Sequence, residues 1–187
     1  MKSPYNFIVR PVGGKRYINE KKIGGMDFIV NTSEENHKAS NRMAEVIEVP
    51  IGYKGEVKKG DTLLVHHNVF KFYNDMYGRK KSGKSFLKDD LFLVDPDQFF
   101  MYKRKDQWTA YDKYCFIKPI KKIVKSIDTN DKEEPLMGLM VYPNGYLKSK
   151  GATEGSIVGY KPNCNYEFEV EGDRLYRLFD HQITMVL

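Results

Sequence analysis

The chain has 187 residues, 41% of them hydrophobic and 30% charged, with a net charge of +6. That size suits one domain or two small ones, each able to bury a core. No apolar run approaches the roughly 20 residues that cross a membrane, and the moderate positive charge permits an acidic partner without demanding one.

Taken in chain order, the opening MKSPYNFIVRPV lacks the apolar stretch of a secretory signal. Its NFIVRPV is instead a short strand candidate. Residues 18–41 are polar, with an apolar cluster at Met26, Phe28, Ile29 and Val30. MAEVIEVP, DTLLVHHNVFKFY, DLFLVD and YCFIKPI are further short apolar runs bounded by turn residues. Asp95-Pro96-Asp97 predicts the one plausible helical turn, with Asp as cap and Pro at the first position. YEFEVEGDRLYRLF is the clearest strand pair, since Tyr166, Phe168 and Val170 alternate with Glu167, Glu169 and Glu171 before a Gly172-Asp173 turn. Only four alanines occur, while Tyr, Phe, Val and Ile abound. The fold class expected is therefore all-β, a sandwich or barrel of short strands. Cys115 and Cys164, the only cysteines, have no Cys-x-x-Cys neighbour and read as reduced thiols, which implies a cytoplasmic setting.

Gly78 to Ser85 spell G-x-x-x-x-G-K-S, the phosphate-cradling pattern. That pattern needs a strand before it and a helix after it. Here Asp89-Asp90 falls where the helix should be under way, and LFLVD follows at once as a strand. A parallel crossover needs about a dozen residues or more. The reading is a basic hairpin tip with Arg79, Lys80, Lys81 and Lys84 in water.

Four blocks recur in the same order. IVRPV (Ile8–Val12) matches FIKPI (Phe116–Ile120). RMAEVIEVPIG matches LMGLMVYPNG when Pro50 is set on Pro143. VKKGDTLLVHHNV matches ATEGSIVGYKPNC through Gly60 and Gly155, and DLFLVDPDQFFMY matches RLYRLFDHQITMV through Gln98 and Gln182. Two copies of one β unit are expected: residues 1–102, with a mobile loop at about 18–41 and a basic hairpin insertion at about 74–85, and residues 115–187, shortened, with 103–114 as linker.

The order of these pieces resembles the GroES-type co-chaperonin family. The opening strand ends in base-Pro-apolar, KKIGGMDFIV corresponds to the family's mobile loop, and VKKGDTLLV is the strongest local match. The resemblance covers most of the first copy and, more faintly, the second. It implies two tandem, small, partly open β-barrels, the second lacking the long loop. It also implies a non-enzymatic, cofactor-free protein that caps a GroEL-type chaperonin ring and assists ATP-dependent folding. The chaperonin-binding residues would be Gly24, Gly25, Met26, Phe28, Ile29 and Val30. In the family the Gly-Gly is followed directly by an aliphatic tripeptide. Here Asp27 interrupts, so either Met26 is the first anchor or the triplet is Phe28-Ile29-Val30. The same residues also fit an ordinary strand packed in the barrel. Family rings have seven subunits with one loop each, which implies a homo-oligomeric ring of first-copy barrels with the second copies as another tier. Divergent members occur in bacteriophages, which makes the host cytoplasm the setting by analogy.

Two other classes stay open. Tyr102, Trp108, Tyr111 and Tyr114 mix with Lys103, Arg104, Lys105 and Lys113, and Phe70, Phe72, Tyr73 and Tyr77 precede the basic tip; such a mixture suits single-stranded nucleic acid. A structural piece of a phage virion that reuses the barrel is the other. Metal and catalytic sites are not expected. His66 and His67 should point to opposite faces of a strand, His37 and His181 have no ligand spacing, and Asp95, Asp97 and Asp180 read as turn and capping residues.

Overall fold

A computed structural model describes residues 1–17, 20–23, 26–29, 40–121 and 133–187. Among the described residues the chain is all-β apart from one short α-helix and two 3-10 turns, and it divides into two compact units, Met1–Gln107 and Trp108–Leu187. Among the described residues no helix is long and apolar enough to cross a membrane.

The strands in chain order begin with β1 (Phe7–Pro11), β2 (Glu20–Ile23), β3 (Met26–Ile29), β4 (Met43–Glu48) and β5 (Thr62–Val65). Next come β6 (Phe72–Asn74), β7 (Lys80–Ser82), β8 (Phe86–Lys88), β9 (Leu91–Val94), β10 (Phe99–Arg104) and β11 (Gln107–Ala110). Then follow β12 (Tyr114–Lys121), β13 (Glu133–Tyr142), α1 (Gly145–Ser149), β14 (Ile157–Tyr160), β15 (Tyr166–Val170), β16 (Asp173–Phe179) and β17 (Ile183–Val186).

The two main sheets share one plan. The first runs β11-β10-β5-β4-β1-β9-β8 and the second β17-β14-β13-β12-β16-β15, so six strands occur in the same order in each; neither sheet closes on itself. The pairing register repeats as well. Phe7 faces Val94 and Val9 faces Phe92 in the first sheet; Cys115 faces Leu178 and Ile117 faces Tyr176 in the second. Those pairs correspond when Pro11 is set on Pro119. Even the irregularities recur. β4 carries one extra residue, Ile47, where β13 carries Val141. β10 carries Phe100 where β17 carries Thr184. Bulges set local bend and strand exit, so their recurrence shows that the backbone plan, and not only the residue pattern, is duplicated.

The turns repeat in detail. Gly60 and Gly155 have φ of 88° and 85°, and their N–H groups donate to Val46 O and Met140 O, both at 2.8 Å. The next residue closes the same turn with its side chain: Asp61 Oδ2 accepts from Lys58 N at 2.7 Å, and Ser156 Oγ from Thr153 N at 3.1 Å. Gln98 Oε1 accepts from Asp95 N at 3.0 Å, and Gln182 Oε1 from Phe179 N at 2.9 Å. These bonds move one expected alignment by a residue: Val46 stands on Met140, not on Leu139 as the match of Pro50 to Pro143 requires. The first copy spends one more residue leaving the strand.

Each unit has its own core. Phe7, Val9, Val46, Leu63, Phe92 and Val94 are buried in the first; Cys115, Ile117, Met140, Val158, Tyr176 and Leu178 fill the matching places in the second. Each such large apolar side chain contributes about 1.5–3 kcal/mol on burial. The YEFEV strand behaves as its alternation predicts, with Phe168 and Val170 buried and the glutamates exposed, although the turn is Glu171-Gly172, both at positive φ.

Two expectations differ from the structure, and one element was not expected. Asp95-Pro96-Asp97 is a turn without a helix, because Gln98 closes it back on Asp95 at once. The helix that does form, α1, is capped by buried Asn144, whose Oδ1 accepts from Leu147 N at 2.9 Å. Residues 103–114, expected as linker, hold the end of β10 and the strand β11, joined by Lys105-Asp106 at positive φ.

Candidate protein-docking loop

The connection between β1 and β4 is where the two copies differ most. Its root is tied by one buried residue. Asn41 donates through Nδ2 to Val12 O at 2.9 Å and to Lys15 O at 2.8 Å, and its Oδ1 accepts from Met43 N at 2.9 Å. Its own N–H donates to Arg16 O at 2.9 Å, beside a bridge between Tyr17 and Ser40. The chain thus leaves and returns at one point. A side-chain amide suits this task, having two donors and an acceptor to satisfy backbone groups that no strand pairs.

Beyond the root, β2 and β3 pair with each other and form a two-stranded sheet of their own. Ile23 faces Met26, Lys22 faces Asp27, Lys21 faces Phe28 and Glu20 faces Ile29. Met26, Phe28 and Ile29 of the expected docking residues therefore lie on β3; Gly24, Gly25 and Val30 lie outside the described residues. Residues 18–41 are expected as a mobile loop, yet eight of them are paired as strands. The physical reason is local: Ile and Phe favour extended backbone. The strand that Met26, Phe28 and Ile29 form is paired to β2 and belongs to neither main sheet.

The phosphate-loop pattern has no such surroundings. Gly78 sits in a turn at φ 74°, β7 follows, and Ser85 precedes β8 with no helix. β6 and β7 pair as a second two-stranded sheet, Tyr73 facing Lys81 and Asn74 facing Lys80. Arg79, Lys80, Lys81 and Lys84 are exposed. This hairpin is held on its inner side by Arg16, which donates to Ser82 Oγ at 2.9 Å and lies 4.1 Å from the Phe72 ring centre and 4.6 Å from that of Phe92. Burial among these rings lowers the Arg16 pKa. Tyr17 adds a bond from Phe72 N to its hydroxyl at 3.1 Å.

His66 and His67 do not diverge across a strand. They follow β5 in a turn, their ring centres 4.1 Å apart. His37 lies outside the described residues, and His181 stacks on Phe179. Asp180 accepts from Asn144 Nδ2 at 2.9 Å and so braces the α1 cap; Asp95 accepts from Asn6 Nδ2. Among the described residues no cluster of His, Cys, Asp and Glu could hold a metal. Cys115 and Cys164 are both free thiols; burial pushes Cys115 up to about 12. Of the aromatic residues weighed for nucleic acid, Phe70, Tyr102, Trp108 and Tyr114 are buried, while Tyr73 and Tyr77 are open to solvent.

Two arrangements had no signal in the sequence. In the second unit Arg177 lies 4.8 Å from the Phe179 ring centre, 5.3 Å from Tyr114 and 5.5 Å from Tyr166, and burial lowers its pKa. Nearby in sequence, Arg174 pairs with Glu133 and with Glu167, and Tyr176 Oη donates to Glu133 at 2.8 Å. Burial, then the bond to Glu133, raises Tyr176 to about 12. A cavity of about 310 Å³ beside this network is lined by Lys118, Pro119, Lys121, Glu133 and Arg174. The network is largely self-neutralised, since Lys118 also meets Asp173 at 2.6 Å. It is best explained as a brace across β12, β13, β15 and β16.

No family model matches the chain, and no curated protein matches its sequence.

Proposed function

We propose that the protein is a co-chaperonin: two tandem GroES-like, partly open barrels, of which the first docks on a chaperonin ring through its long loop. The observation that carries this reading is the rooted β2–β3 hairpin. Its Gly24-Gly25 connection and the Met26, Phe28, Ile29 and Val30 cluster stand at the place in the strand order where the resembling family has its docking loop. An isolated two-stranded ribbon is marginal in water. Seating its apolar side chains in a groove of the partner would stabilise both strand pairing and contact. Each loop would bind weakly because ordering offsets part of the gain, and a homo-oligomeric ring of several loops would restore affinity while leaving release possible. The second copy has 11 residues between β12 and β13 against 31 between β1 and β4, so it serves as a second tier and not as a second hook.

The test is capture by a bacterial chaperonin with ADP or ATP present and absent. The wild-type chain should be retained in a nucleotide-dependent way. A variant with Phe28, Ile29 and Val30 changed to Ser should lose retention while keeping its circular dichroism spectrum. Equal retention of that variant removes these residues from the docking role.

A further inference from the structure

We propose that the β6–β7 hairpin of the first unit is a binding site for single-stranded nucleic acid, with Tyr73 and Tyr77 stacking on bases and Lys81 and Lys84 meeting phosphates. The charge is concentrated here. Between Lys71 and Lys88 stand six bases and one acid, Asp75, a net +5; every other residue of the chain together carries a net +1. Such a focus steers and retains a polyanion far better than the same charge spread evenly.

Charge alone would suit any acidic partner. The aromatic residues choose among them. Tyr73 and Tyr77 are 53% and 75% exposed, although large aromatic rings elsewhere in this unit are mostly buried. Tyr73 faces Lys81 across the ladder, and the Arg79 guanidinium lies 5.1 Å from the centre of the Tyr77 ring. A ring beside a cation matches a base beside a phosphate, the repeat of a nucleic-acid strand. An acidic peptide would use the cations and leave the open rings idle. A duplex hides its base faces, so the strand must be single.

The hairpin is also held in place. Its inner side rests on Arg16 and Tyr17 through Phe72 and Ser82. Its tip closes on itself: Asp75 Oδ1 accepts from Tyr77 N and Arg79 N, both at 2.9 Å, and Oδ2 accepts from Arg79 Nε at 3.0 Å. These bonds, the Arg79 N–H first, hold the Asp75 carboxyl below its ordinary pKa. The counterpart connection in the second unit, 161–165, has no such hairpin. The site is thus an addition to the shared plan, independent of the chaperonin reading.

The experiment uses the full chain and a labelled, mixed-sequence single strand of roughly 20 nucleotides, read by fluorescence anisotropy against salt. Tyr73→Ala and Tyr77→Ala should each weaken binding about fivefold or more. Lys81→Gln with Lys84→Gln should reduce the slope of log affinity against log salt by about 1.4. Ultraviolet crosslinking of the wild-type chain should place adducts within 71–88, a readout that depends on no variant. Absence of binding at low salt, crosslinks elsewhere, or tyrosine variants that bind like wild type while polyglutamate competes equally would each overturn the proposal.

Discussion

The two units use one strand plan for different ends. The first interrupts it twice, with the β2–β3 hairpin after β1 and the β6–β7 hairpin after β5; between β14 and β15 the second has only five residues, 161–165. Within the shared strands the register, both bulges and the glycine turn coincide. A plan that tolerates such insertions holds its strands together through core contacts and turn bonds, leaving the connections free to carry function.

The comparison breaks most visibly in the core. Phe7 and Cys115 occupy the same position, both fully buried, but Phe7 packs edge-on against Tyr53 and Phe99. Phe7→Ala should cost about 3–5 kcal/mol by denaturant unfolding, and Cys115→Ala about 1 kcal/mol. Equal losses would mean that the two cores are not built alike. Alkaline pH should separate the units next. The Cys115 thiol, ordinarily near 9.0, is raised to about 12 in the fold, and Tyr176 from 10.0 to about 12. Their contributions are complete below pH 9 and 10 and are lost as pH rises toward 12. The thiol alone accounts for a loss on the order of 4 kcal/mol. Cys115→Ala should remove the part that begins near pH 9.

The turn after β4 sharpens the comparison. Asp61 is buried and bonds both Lys58 N and the Arg104 guanidinium, at 2.6 and 2.9 Å to the latter, whereas Ser156 bonds Thr153 N with its hydroxyl. Asp61→Ala should cost about 2–3 kcal/mol and Ser156→Ala about 1 kcal/mol. The smallest and most symmetric effect should come from Gly60→Ala and Gly155→Ala. Each forces a side chain to φ near 88° or 85° in otherwise open space, at about 1–2 kcal/mol apiece.

Much of this plan was legible because its markers are local. Gln98 and Gln182 each close a turn on the residue three before them, and Gly60 and Gly155 turn the chain by their own positive φ, so equal spacing reports equal turns. The bulges at Ile47 and Val141 left no mark, since an extra residue is visible only against the partner strand. The alignment through Pro50 and Pro143 slipped by one for another reason: the first copy has one more residue between the end of the strand and its proline. α1 was missed because Pro143-Asn144-Gly145 reads as a turn, and the cap needs Asp112 and Asp180 to hold Asn144 in place. For the candidate docking loop, the apolar cluster and the glycine pair were readable; the strand pairing and the Asn41 clamp were not. The clamp joins Val12, Lys15 and Met43 through one side chain. The Arg16 and Arg177 clusters likewise draw on rings from distant strands, which no short window contains.

Hydrogen exchange at the β2 and β3 amides, followed with a chaperonin ring and ADP added, tests the docking role most directly. The account predicts fast exchange in the free protein, as a lone two-stranded ribbon should show. It predicts marked slowing at Met26 to Ile29 once the ring and nucleotide are present, with the amides of β12 and β13 unaffected. Unchanged exchange at β3 under conditions where the two proteins co-sediment would contradict it.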